Sequence, residues 1–199
     1  MLKLNTLIVD DELGMRLGIK KALSKYTITL PDIEEPIGFE VDVAEDGEEG
    51  IKKIEACPPD LLLLDYKMPN MSGLEVLEKV QKKESEMLTI MITAYASIDI
   101  AITAVKQGAF DFIAKPFTPD ELKKTVAKTT QNLMMARQVH KLAQERKQVR
   151  FQFISVLGHE LKSPLNAIEG YLHIMKDRTA GDHMDDYEKM VDRSLYRLQ

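Results

Sequence analysis

The chain has 199 residues, 44% of them hydrophobic and 30% charged, enough to bury a core without disulfides or metals. A single cysteine, Cys57, excludes a disulfide framework and a cysteine-based zinc site, and no apolar run is longer than that of residues 61–64, too short to span a membrane. The net charge of −5 hides a split: residues 1–120 carry 13 Lys and Arg against 22 Asp and Glu, a net −9, and residues 121–199 carry 14 against 10, a net +4. The acidic part argues against nucleic-acid binding, and the basic part is too weakly charged to be a DNA footprint. Residues 1–5 lack the apolar stretch of a signal peptide, so the expected location is the cytoplasm, with no membrane partner.

The first part alternates strand and helix signals. Residues 4–9 form a short apolar run ending in Asp10-Asp11-Glu12, and Met15, Leu17, Ile19, Ala22 and Leu23 then recur at helical spacing. Residues 26–38, with Pro31 and Pro36, are long for a helix-to-strand connection. They predict a loop with room for a short hairpin, either an inert insertion or a regulatory contact. Residues 39–44 alternate apolar and polar, as a half-exposed strand does, and 47–56 predict a helix closed by Pro58-Pro59. The four leucines 61–64 suit a strand covered on both faces. Helix 74–82, strand 88–93, helix 98–107 and strand 110–114 complete five βα units, hence a parallel sheet with helices on both faces.

No strand signal follows Thr118. Thr118-Pro119-Asp120-Glu121 is a helix start with Thr as N-cap and Pro at N1, and neither Gly nor Pro recurs before Gly158. Met135, Val139, Leu142, Arg146, Val149, Phe153 and Val156 are spaced four, three, four, three, four, three, a heptad seam interrupted by one Arg. Some forty helical residues span roughly 60 Å, more than a small domain covers, which predicts a second chain alongside.

In an open parallel sheet, ligands sit at the carboxyl ends of the strands. Asp10 and Asp11 end the first strand, Asp65 the third, Thr93 the fourth and Lys115 the fifth. Three carboxylates in one pocket repel unless a cation compensates, and hard oxygen ligands suit Mg²⁺. A Lys beside them pairs with a bound phosphoryl group and a Thr hydroxyl donates to it, so the constellation suits phosphoryl transfer onto a carboxylate.

Val9-Asp10-Asp11-Glu12, residues 64–73 (Leu-Asp-Tyr-Lys-Met-Pro-Asn-Met-Ser-Gly), Thr93-Ala94-Tyr95-Ala96 and Lys115-Pro116-Phe117 together resemble the receiver domain of bacterial response regulators over about residues 3–128. The resemblance implies a flavodoxin-like, doubly wound five-stranded α/β fold. It also implies that Asp65 accepts the phosphoryl group, that Asp11 binds Mg²⁺ directly and Asp10 mostly through water, and that the main-chain carbonyl of Lys67 is a further metal contact. Thr93 and Lys115 would engage the phosphoryl oxygens. Phe112 stands where the family's switch aromatic, often Tyr, sits; it lacks the hydroxyl.

In residues 153–165 (Phe-Ile-Ser-Val-Leu-Gly-His-Glu-Leu-Lys-Ser-Pro-Leu), His159 and Glu160 are neighbours on a helix that Pro164 should bend. An imidazole with an acid nearby is a candidate nucleophile. His140, His173 and His183 are expected to be ordinary surface or packing residues. Residues 145–199 resemble the H-box segment of sensor histidine kinases, the dimerisation and histidine phosphotransfer domain. That resemblance implies that His159 is phosphorylated and Glu160 is its acid–base neighbour. Lys162 stands where Arg is common, and Ser163 where Thr or Asn often serves phosphatase activity. Tyr187, Met190, Val191, Ser194, Leu195 and Leu198, beyond a loop at 179–182, predict a second antiparallel helix. Two such hairpins make a four-helix bundle in a homodimer.

The expected organisation is therefore a receiver at 1–120, a linker helix or coiled coil at 121–150, and a truncated dimerisation and phosphotransfer domain at 151–199. The expected function is two-component signalling, in which Mg²⁺-dependent phosphorylation of Asp65 regulates a histidine kinase acting at His159. Direct Asp65–His159 relay and a non-catalytic dimeric adaptor are the alternatives. None of the ten glycines forms a Gly-x-Gly phosphate loop, so ATP would bind a domain beyond Gln199 and these residues alone should not autophosphorylate. The implied partners are a second copy, an upstream kinase or phosphotransfer protein, and a downstream response regulator.

Overall fold

A computed structural model describes residues 1–31, 33–81, 86–94, 103–176 and 184–196. The chain divides into two units, Met1–Arg137 and Gln138–Gln199.

The first unit is built on five strands, β1 (Leu2–Val9), β2 (Ile37–Ala44), β3 (Leu61–Asp65), β4 (Leu88–Thr93) and β5 (Asp111–Ala114). They are parallel throughout, in the order β2-β1-β3-β4-β5. This is the flavodoxin-like arrangement, whose strand order reverses between β1 and β3. Strand periodicity sorts the core into two layers. Leu61 and Leu63 join Leu4, Ile8, Ile90 and Ile92 on one face, under Ile19 and Leu23 of α1 (Leu13–Leu23). Leu62 and Leu64 join Leu7, Val9 and Met91 on the other. That face is covered by Ile54 of α2 (Gly47–Ala56) and by Val76, Leu77 and Val80 of α3 (Gly73–Gln81). β3 is buried from end to end, which is why four consecutive leucines stand there.

α4 (Pro119–Lys176) starts at the expected cap: the Glu121 amide donates to Thr118 Oγ1 at 3.2 Å, and the Thr118 amide to Glu121 Oε2 at 2.8 Å. Leu122, Val126 and Leu133 are buried in the same layer as α1. Arg137 forms ion pairs with Asp60, just before β3, and Glu86, just before β4. The stretch 121–137, read from sequence as the start of a linker, therefore packs as part of the first unit.

Helix 98–107 is seen as helical residues 103–106, with 95–102 outside the described residues. The loop 179–182, Leu198 and the Ser163 side chain also lie outside them. The 26–38 insertion does form a hairpin contact: Ile28 and Ile37 exchange both main-chain hydrogen bonds at 2.8 and 2.9 Å. Both residues are buried, and the Tyr26 ring stacks on Phe39 with centroids 6.0 Å apart. The segment is thus packed into the core and lengthens β2 back to Ile37.

In the second unit α4 continues through Pro164 to Lys176, and α5 spans Met184–Tyr196. Met190 and Leu195 are exposed on α5, as are Val149, Phe153, Leu161 and Leu172 on α4. Among the described residues no helix is long and apolar enough to cross a membrane.

Gly73 opens α3 directly behind the end of β3, where a Cβ would collide with the main-chain oxygen of Asp65. Gly73→Ala is expected to cost about 1–3 kcal/mol by overpacking and to displace Asp65. Chemical denaturation alongside phosphorylation assays checks both effects.

Candidate active site

Strand register gathers the site. Val9 pairs with Leu64, Asp65 with Ile92 and Thr93 with Ala114. Asp10, Asp65, Thr93 and Lys115 therefore stand side by side at the carboxyl edge of four adjacent strands. The ladder continues past the strand ends: the Tyr66 amide donates to the Ile92 carbonyl and the Lys115 amide to the Thr93 carbonyl, both at 2.7 Å. The loops are thereby pinned where the side chains converge. A cis Lys115–Pro116 peptide follows.

Lys115 is the centre of the arrangement. Its Nζ lies 2.8 Å from Asp10 Oδ2 and 2.8 Å from Asp65 Oδ1. Asp10 is fully buried and Asp65 only 4% exposed. The other carboxylate oxygens accept main-chain hydrogen bonds, Asp10 Oδ1 from the Glu12 amide at 2.8 Å and Asp65 Oδ2 from the Lys67 amide at 3.1 Å. Burial pushes the Asp65 carboxyl above its ordinary pKa; Lys115 opposes the shift and the charge of Asp10 adds to it. Burial would lower the Lys115 pKa, but hydrogen bonds to and charge on Asp10 and Asp65 outweigh it and hold the ammonium above its usual range.

A cleft of about 460 Å³ opens beside these groups, lined by Asp11, Glu12, Asp65, Lys67, Met68, Pro69 and Ala94. Asp11 is exposed on it. Thr93 is buried at the end of β4, and Phe112 is 42% exposed on β5. The expected convergence of Asp10, Asp11 and Asp65 is looser than the sequence suggests. Among the described residues no three His, Cys, Asp or Glu side chains close on one point that would hold an ion. Lys115 stands between two of the carboxylates, while Asp11 faces the cleft.

The donor chemistry nonetheless fits a divalent cation. Four carboxylates, Asp10, Asp11, Glu12 and Asp65, stand beside three cationic side chains, Lys115, the buried Arg16 and Lys67 on the cleft, which leaves an excess of negative charge and oxygen donors on an open cleft.

Arg16 was not singled out from the sequence. Its Nη1 donates to the Asp10 carbonyl at 2.6 Å, fixing the peptide that turns from Asp10 to Asp11. The available signal was spacing, because Arg16 lies three and seven residues before the buried Ile19 and Leu23.

In the second unit, His159, Glu160 and Lys162 are exposed on α4. Ser163 follows His159 by four residues, one helical turn on.

Residues 6–127 match the response regulator receiver domain family, and residues 149–199 match the His Kinase A (phospho-acceptor) domain. The chain is 39% identical over 129 residues to chemotaxis protein CheY of Listeria monocytogenes, covering 64% of this chain and 98% of that one. It is 33% identical over 138 residues to regulatory protein AtoC of Escherichia coli, covering 69% of this chain but only 28% of AtoC. The chain thus spans about a quarter of the length of that relative. Among solved structures, a CheY-like receiver from Methanospirillum hungatei superposes with a TM-score of 0.59 at 32% identity, over 68% of this chain and 99% of that one. Response regulator TrrA of Thermotoga maritima, solved in complex with Mg²⁺ and beryllofluoride, superposes with a TM-score of 0.53 at 35% identity, over 65% and 99%. The chain belongs to the response regulator receiver family and joins its receiver to a His Kinase A phospho-acceptor domain, the paired aspartate and histidine acceptors of two-component signal transduction.

Proposed function

We propose that Asp65 is the receiver's phosphoryl acceptor, that His159 is the acceptor of a cytoplasmic histidine kinase, and that the state of the first governs phosphorylation of the second. The observation that carries this reading is the Lys115 ammonium shared between Asp10 and Asp65 at the mouth of the cleft. When Asp65 attacks a phosphorylated donor histidine, its P–N bond breaks, a P–O bond forms to the carboxylate, and the imidazole regains a proton. Lys115 then exchanges its contact with Asp65 for one with a phosphoryl oxygen, and the Thr93 hydroxyl donates to another. Asp10, Asp11, Asp65 and the main-chain carbonyl of Lys67 would hold Mg²⁺, as a receiver of this family uses. Bound there, the ion neutralises charge on the phosphoryl oxygens.

In the kinase half, Glu160 orients the His159 imidazole or accepts its proton while the imidazole attacks the γ-phosphorus of ATP bound by a catalytic domain, forming a P–N bond and releasing ADP. Ser163, one turn along, keeps the hydroxyl that water-assisted phosphatase chemistry needs. The partners are a second copy of the chain, a kinase or phosphotransfer protein upstream of Asp65 and a response regulator downstream of His159.

Saturating Mg²⁺ is expected to stabilise the chain. At a hundred times its dissociation constant the gain is about 2.7 kcal/mol, read as a rise in calorimetric Tm. Asp11→Asn is expected to weaken Mg²⁺ binding about tenfold or more. Titration calorimetry that found Mg²⁺ affinity unchanged in this variant would remove Asp11 from the metal site. The acceptor is tested by labelling the chain with an acyl phosphate and mapping the modified peptide. The expected result is Mg²⁺-dependent label on Asp65, and label on another residue contradicts the assignment.

A further inference from the structure

From Gln138 onward α4 carries its apolar residues in the open. Val139, Leu142, Val149, Phe153 and Val156 are all more than half exposed, too long an apolar stripe to be left facing water. Their spacings of three, seven, four and three fit one heptad register, with Val139 and Phe153 at a and Leu142, Val149 and Val156 at d. The a position between Val139 and Phe153 is Arg146, which is exposed, as are Glu145 at g before it and Arg150 at e after it.

In the dimeric reading this stripe pairs with the same stripe of a second copy as a parallel coiled coil, and we propose that Arg146 sets the register of that pair by pairing with Glu145 of the partner subunit. The proposal rests on the dimeric kinase reading and adds to it what fixes the alignment of the two helices. The occupant follows from continuity: the stripe, broken only at Arg146, runs on one helix into residues 149–199, which match a phospho-acceptor domain of a kind that typically dimerises. A two-fold axis through such a bundle brings the two entering helices together side by side, pointing the same way.

Charge placement agrees with that orientation. In a parallel coiled coil a g residue faces the e residue five positions on in the other helix. Glu145 then meets Arg150 of the partner subunit and flanks the partner's Arg146. An antiparallel pair sets g against g and e against e and loses this match. A parallel slip by one heptad places Arg146 against Val139 or Phe153 of the other copy, burying a charge without its acid. Arg146 therefore weakens the seam in its correct alignment and penalises the wrong ones more, as single polar a residues do.

Sedimentation and oxidative cross-linking of the whole 199-residue chain test this. Arg146→Leu is expected to lower the dimer dissociation constant about tenfold. Glu145→Lys is expected to raise it about threefold or more, and Glu145→Lys with Arg150→Glu to return it to within about twofold of wild type. In a Cys57→Ser background, Val139→Cys and Val156→Cys are each expected to form disulfide-linked dimers. An antiparallel pair can bring at most one of the two against its own copy. With Arg146→Leu added, the cross-linking yield at both positions should fall as slipped registers gain population. A dimer whose dissociation constant and cross-linking ignore Arg146→Leu overturns the role of Arg146 and leaves the dimer standing. A chain that stays monomeric at all concentrations overturns the dimer reading as well.

Discussion

Replacing Lys115 by methionine is expected to destabilise the receiver by about 3–5 kcal/mol in Mg²⁺-free buffer, because it strands Asp10 and Asp65 without their shared cation. Both carboxylates are buried and each lies 2.8 Å from Nζ, so solvent cannot stand in for the ammonium. Mg²⁺ should recover a larger share of stability in the variant than it adds to wild type, since it then meets two uncompensated charges. Stability and chemistry should separate under saturating Mg²⁺: the fold returns, but phosphorylation of Asp65 stays about a hundred to a thousandfold slow because the positive group facing the transferring phosphoryl is missing. Denaturation curves with and without Mg²⁺, beside single-turnover phosphorylation, check this. A Lys115→Met protein as stable as wild type without Mg²⁺ contradicts the electrostatic account of the site.

The second large effect separates the two acceptors. Asp65→Asn keeps the size of the side chain and relieves part of the crowding of negative charge, so the fold should be retained or gain stability. Phosphorylation by an acyl phosphate should fall at least about a thousandfold, as expected for loss of a nucleophile. His159→Gln should leave that receiver reaction within about twofold and abolish ATP-derived phosphorylation once a catalytic domain is supplied. Acyl phosphates and phosphohistidine differ in acid and base stability, so gel-resolved label after each treatment distinguishes them.

The site was legible in the sequence because its residues occupy positions that few other demands fill. An Asp after an apolar strand is unremarkable singly, but Asp10, Asp65, Thr93 and Lys115 each follow a separate run, and parallel strand register brings such positions to one edge. The four consecutive leucines of β3 mark its burial on both faces. Arg16 was hidden because its charge suggests solvent, whereas its head group is buried against the Asp10 carbonyl. The place of residues 121–137 was hidden because α4 has no Gly or Pro to mark where packing on the sheet ends. The buried Leu122, Val126 and Leu133 and the exposed Val139, Leu142 and Val149 lie on one continuous helix but on roughly opposite faces, so the boundary is a change of phase in the apolar pattern rather than a helix breaker. Pro31 and Pro36 mark the insertion as a loop with room for a short hairpin, but only the structure shows that Ile28 and Ile37 reach the core from either side of them.

The central claim is that the state of Asp65 controls phosphorylation of His159. It is tested most directly by joining this chain to an ATP-binding domain and measuring the initial rate of His159 phosphorylation with and without Mg²⁺ and beryllofluoride. The account predicts a rate that changes about fivefold or more with beryllofluoride in wild type, in keeping with a coupling of at least ~1 kcal/mol, and that does not change in Asp65→Asn. Equal rates in wild type with and without beryllofluoride, once the analogue is shown to be bound, would contradict it.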